Sequence, residues 1–96
     1  MRFELAREAL ADIEGIADYT AERWGAAQAR EYLAALEARL RELARSPLLG
    51  RRRDDLAEGL LSLPSVSHVV FYKRADFGVV VIRVLHRRQD PQRHLG

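Results

Sequence analysis

The sequence predicts a two-layer α+β domain, an N-terminal strand and an antiparallel helical hairpin packed on a small antiparallel sheet, in the order β-α-α-β-β-β. Three observations lead there. Residues 78–86 form a β-branched run broken by a single charge, Arg83, and too continuous for a strand with one wet face. Residues 6–45 carry two successive helical stripes separated only at Gly25. Two helices are too few for a bundle, so their apolar stripes need a sheet as counterpart.

Arg2 to Leu5 alternates charged and apolar side chains, which reads as a short strand at an edge or paired with a later one. From Ala6 the period changes. Leu10, Ile13, Ala17, Thr20 and Trp24, joined by Ile16, recur at spacings of three and four, opposite Arg7, Glu8, Asp12, Glu14, Glu22 and Arg23. Gly15 inside this helix costs about 1 kcal/mol relative to Ala, and Gly25 ends it. The second helix repeats the spacing through Ala29, Leu33, Leu36, Leu40 and Leu43 and stops before Ser46 and Pro47. So short a connection folds the pair back as a hairpin. Tyr19 and Trp24 are expected to pack in the core or the hairpin rather than to offer stacking platforms.

Pro47 to Asp55 reads as a charged loop. Its run Arg51, Arg52, Arg53 beside Asp54 and Asp55 is equally compatible with a locally neutralised surface and with a binding role. Leu60–Leu63, bounded by Gly59 and Pro64, is a brief strand; His68–Arg74 is a longer one, and Ala75 to Gly78 make a tight turn into the central strand. Alternation puts Val80, Ile82, Val84 and His86 on one face of that strand and Val79, Val81, Arg83 and Leu85 on the other. An arginine there, buried and unpaired, would cost several kcal/mol, so it must face an open surface or meet an acid. The expectation is the open surface, away from the helices, where Arg83 forms a cationic floor for a partner.

Ninety-six residues make one domain that buries roughly 60 to 65% of its unfolded surface. A composition of 48% hydrophobic and 31% charged residues is that of a folded chain rather than a disordered tail. No apolar run approaches the roughly 20 residues of a membrane span, and no signal-peptide core is visible, so a cytoplasmic protein with no membrane partner is expected. Without cysteine there are no disulfides or thiolate zinc sites, and His86 and His94 sit on different elements. No metal and no cofactor are expected. Residues 1–50 carry seven arginines against nine acids, net −2, and residues 51–96 carry nine cations against five acids, net +4. Nearly all the cations are arginine, whose planar fork suits carboxylate and phosphate alike. They cluster at Arg87, Arg88, Arg93 and His94, just after the central strand.

Several ordered pieces carry a family resemblance: Trp24-Gly25 with Gln28 and Ala29, Leu43-Ala44 through Pro47 to Gly50-Arg51, Leu56 through Gly59, His68 through Phe71-Tyr72-Lys73, and Arg83-Val84-Leu85-His86-Arg87-Arg88 with Asp90 and Arg93-His94-Leu95. Their joint order resembles the ParE toxins of ParD–ParE toxin-antitoxin modules, within the larger RelE-like fold. The resemblance implies a toxin neutralised by a ribbon-helix-helix antitoxin in a hetero-oligomer, with operator DNA bound only through the antitoxin, and DNA gyrase as the poisoned target. It implies target contacts at Arg83, Arg87, Arg88, Arg93 and His94, and antitoxin contacts at Trp24, Arg51, Tyr72, Arg74 and Arg83. One departure stands out: Gly59 and Leu60 are followed by Leu61, where such sequences commonly have Arg. The expected activity is not enzymatic. The alternative is metal-independent cleavage of ribosome-bound messenger RNA, with His86 or His94 as acid or base and Arg51, Arg83 and Arg87 stabilising the phosphorane. A third reading is a degenerate toxin that only binds its antitoxin as co-repressor.

Overall fold

A single residue, Gly25, separates the two long helices α1 (Arg7–Trp24) and α2 (Ala26–Arg45). Its φ of 94° lies in the left-handed region, and it serves both helices: its amide donates to the Ala21 carbonyl at 2.9 Å and its carbonyl accepts the Ala29 amide at 3.1 Å. The computed structural model describes residues 1–95. Around the helical hairpin it places β1 (Arg2–Leu5), β2 (Arg51–Arg52), β3 (Leu61–Ser65), β4 (His68–Ala75), β5 (Gly78–His86) and α3 (Pro91–Leu95).

The five strands form one sheet in the order β1-β5-β4-β3-β2. The two-layer α+β architecture is as expected, but the sheet is mixed rather than antiparallel, because β1 lies parallel to β5. Parallel neighbours need a long crossover, which the helices and the β3–β5 meander supply. Gly78 makes that pairing close: a Cβ there would lie 2.0 Å from the Arg2 carbonyl oxygen, at a φ of 142°. β2 occupies part of the segment expected to be a charged loop, and α3 holds the end of the cationic cluster after β5. Pro64 falls inside β3, beyond the two residues that β2 pairs, so its missing amide leaves no ladder bond unmade.

A register shift between Phe71 and Tyr72 changes what β5 presents. Phe71 pairs with Arg83 and Tyr72 with Val81, so Ile82 is an extra residue on β5. Strict alternation therefore fails beyond it. Val79, Val81 and Val84 all join the main core, with Ala9, Leu36, Leu40, Leu43, Leu61, Leu63, Val70 and Tyr72. Ile82 and Leu85 instead join a second cluster on the other face, with Leu60 and Phe71, roofed by Leu56, Ala57 and Leu95. The face expected to be open is thus closed by apolar packing. Leu61 is a core residue, so an arginine in its place would be drawn into the apolar interior.

α2 buries the stripe predicted for it, although Leu33 is only half-buried. On α1 the buried line is rotated. Ala9 is fully buried and Ile13 and Ile16 pack on the core, while Leu10 and Trp24 are exposed. Tyr72 is also fully buried: its hydroxyl donates to the Pro47 carbonyl at 2.9 Å and accepts the Gly50 amide at 2.8 Å, pinning the α2–β2 connection. Its expected role as an antitoxin contact is therefore corrected to a structural one.

Candidate functional site

α1 carries small residues, Ala11 and Gly15, on the side turned to the end of β5, and nothing lies within 4 Å of where a Gly15 Cβ would be. The hollow they leave opens into a groove of about 970 Å³ between α1, the start of α2, the β3–β4 turn and the end of β5. Its rim is apolar and wet. Tyr19 is 60% exposed, Trp24 65% and Val66 73%, correcting the expectation that the two aromatics pack inside. The Arg23 guanidinium sits 5.9 Å from the Tyr19 ring centre and 5.8 Å from that of Trp24. Val66 holds a positive φ of 55° at the turn, a conformation that costs a β-branched residue on the order of 1–3 kcal/mol.

Deeper in the groove stand Tyr32, His68 and His86. His68 and His86 are cross-strand partners, their rings edge to face with centres 5.3 Å apart. The Tyr32 hydroxyl is hydrogen-bonded to His68 Nδ1 and lies 3.3 Å from the Ser65 carbonyl, to which it donates. His86 Nδ1 accepts the Arg88 amide at 3.2 Å, and the His86 amide donates to Gln89 Oε1 at 2.7 Å. Burial pushes the Tyr32 phenol up; burial first, and then the neighbouring His86, holds the His68 imidazole below its ordinary range. His68 is thus neutral at neutral pH. Among the described residues no three His, Cys, Asp or Glu side chains come together as a metal site.

Arg83 corrects the largest expectation. β1 pairs with β5 only as far as Leu5 opposite Val81, and beyond that point α1 lies against the open edge of β5. Asp12 of α1 accepts the Arg83 guanidinium at 2.7 and 2.9 Å, and the same carboxylate accepts the Val84 amide at 2.9 Å. The two side chains are 20% and 15% exposed. Arg83 is not a free cation on an open face, because a helical acid neutralises it and completes the edge of the sheet.

Arg87, Arg88, Arg93 and His94 are exposed and, among the described residues, have no ion-pair partner. Arg51 and Arg74 are exposed but do not line the groove. Beside Arg51, Arg52 pairs with Asp54 at 2.8 Å and Arg53 with Asp55 at 3.1 Å, so most of that run is locally neutralised. The alternative catalytic set is not assembled: Arg51 lies on β2 at the far edge of the sheet, His94 on α3, and Arg83 is held by Asp12. Sequence reading missed Tyr32, His68 and Asp12. Counting back from the β4–β5 turn pairs His68 with Leu85, and only the extra residue at Ile82 moves it opposite His86.

The fold and groove define a small α+β domain with a partner-sized hollow beside the helical hairpin. A chromosomal ParDE toxin-antitoxin structure from P. aeruginosa matches with a TM-score of 0.76 at 17% identity, covering 90% of this chain and 95% of that one. The RelBE2 toxin-antitoxin complex from Mycobacterium tuberculosis matches with a TM-score of 0.63 at 24% identity, covering 90% and 96%. In sequence, Toxin ParE1 of Caulobacter vibrioides is 39% identical over 94 residues, 98% of this chain and 97% of that protein. Toxin ParE of Escherichia coli is 38% identical over 87 residues, 90% and 84% of the two chains. Residues 3–91 match the family model for the ParE toxin of the type II toxin-antitoxin system parDE. The chain belongs to the ParE toxin family.

Proposed function

We propose that this ParE-family toxin acts by binding rather than by catalysis, blocking DNA gyrase in the cytoplasm until a ParD-like ribbon-helix-helix antitoxin neutralises it. The observation that carries the antitoxin half is the groove with its exposed Tyr19, Trp24 and Val66 rim. Large apolar side chains left wet around a hollow mark a site that a partner covers. An amphipathic antitoxin segment would seat aliphatic anchors there and set its acids against the basic half of the toxin, which speeds association and selects the partner. The fold neighbours described above are toxin-antitoxin assemblies, which supports such a partner. Operator DNA is then reached only through the antitoxin.

The gyrase half rests on Arg87, Arg88, Arg93 and His94, exposed and without an ion-pair partner among the described residues, and needs no metal or cofactor. Purified toxin is added to gyrase in a supercoiling assay, with and without antitoxin. Inhibition relieved by antitoxin is expected; undisturbed supercoiling at large toxin excess removes the gyrase target. One observation favours a second reading, messenger RNA cleavage: His68, neutral and held by Tyr32, stands beside His86 as an acid-base pair would. Primer extension on translated message then reveals new 5′ ends that vanish in His68→Gln, and an intact message discards it.

A further inference from the structure

We propose that Tyr32, His68 and His86 form a carboxylate-binding subsite of the groove, which takes an Asp or Glu side chain of the antitoxin segment and couples its docking to proton uptake. This rests on the antitoxin reading above. His68 opens β4 and His86 closes β5, and the extra residue at Ile82 sets them opposite each other. Each ring has its Nδ1 engaged within the protein, His68 with Tyr32 and His86 with the Arg88 amide. Nε2 is therefore the nitrogen each offers to an occupant of the groove. Because His86 Nδ1 accepts a hydrogen bond, the neutral ring carries its proton on Nε2 and is a donor there.

The charged surroundings leave room for one anion. From α1 the groove receives Tyr19 and Asp12, and among the described residues that line it Asp12 is the only acid. Both of its oxygens are held by Arg83 of β5, and one also by the Val84 amide. α2 brings Tyr32, β4 brings His68, and the segment after β5 brings the neutral Gln89. Among the described residues no internal carboxylate is left to face the two imidazoles. Protonating both without a counterion sets like charges about 5.3 Å apart, ring centre to ring centre. An entering carboxylate removes that repulsion and stabilises imidazolium at His68. With the net charge of the toxin at +2, an acidic segment is the electrostatic match.

The sign follows from the free state. Burial keeps His68 neutral at neutral pH in the free toxin, whereas beside a carboxylate its proton affinity rises, so the complex holds more protons than its separated parts. Affinity then increases as pH falls from about 8 to 6, by up to tenfold per unit for one linked proton.

The test is calorimetric titration of the toxin with its ParD-type antitoxin partner, in buffers of different ionisation enthalpy, across that pH range. Net proton uptake is expected near pH 7, together with upward movement of the His68 titration followed by NMR. His86→Gln and His68→Gln are made separately, so that one folding failure leaves the other informative; each weakens binding most at pH 6 and flattens the pH dependence. Tight binding with a heat independent of buffer and an affinity flat with pH overturns the subsite and leaves the antitoxin reading standing. Absence of binding at every pH overturns both.

Discussion

The Asp12 carboxylate grips Nε and Nη2 of Arg83 and, through the Val84 amide, stands in for the strand that β5 lacks beyond β1. Truncating Asp12 strands a half-buried cation and an edge amide together. Asp12→Ala is expected to destabilise the domain by about 2–4 kcal/mol, and Asp12→Asn by less, since the amide keeps an acceptor. Arg83→Glu sets two carboxylates face to face and lowers the urea midpoint further, an effect on folding rather than on partner affinity. A stability within about 0.5 kcal/mol of the parent for Asp12→Ala would remove this role.

Tyr72 and Gly50 lock the α2–β2 connection. Tyr72→Phe loses both hydrogen bonds of the hydroxyl and is expected to cost about 1–3 kcal/mol. A Cβ at position 50 would lie 2.4 Å from the Tyr72 hydroxyl oxygen and 2.8 Å from the Ser62 carbonyl oxygen. Gly50→Ala must therefore displace β2 or the tyrosine. In the Tyr72→Phe background the clash with the hydroxyl oxygen disappears, so thermal melts of the two single variants and the double variant are expected to be non-additive.

Stability is expected to depend on pH at both ends of the range. His68 is held below its unfolded value of about 6.5, so the unfolded chain binds the proton first as pH drops. The His68 contribution is intact above about 6.5 and is lost as pH falls from there toward its folded value. The phenols of Tyr32 and Tyr72 are pushed up by burial, so their contribution is intact below about 10 and lost as pH rises above that. Urea midpoints measured against pH are expected to form a plateau between these limits, and His68→Gln to flatten its acid side.

Arg87, Arg88 and Arg93 are exposed and unpaired among the described residues, so replacing them separates binding from folding. Each alanine variant is expected to melt within about 0.5 kcal/mol of the parent. Gyrase inhibition is expected to weaken by about two- to fivefold per charge at low salt, and by less as salt rises. Supercoiling titrations at two ionic strengths read this directly, and unchanged inhibition by the triple variant places the contact elsewhere.

The sequence by itself determined the two long helices, the main strands and their α+β layering. Hydrophobic period, glycine punctuation and β-branched runs are local quantities, and they located α1, α2 and β5 almost to the residue, as well as the stripe of α2. They also located the arginine cluster after β5. Only the tertiary structure decided the site. One extra residue at Ile82 moved Val84 into the main core and set His86 against His68, and a bulge depends on how two strands fit rather than on either strand alone. A modest rotation of α1 put Trp24 and Leu10 in water and brought Asp12 to Arg83, which lies 71 residues away in the chain. Pairings at that separation depend on how helix packs on sheet, and no periodicity within a single segment records them.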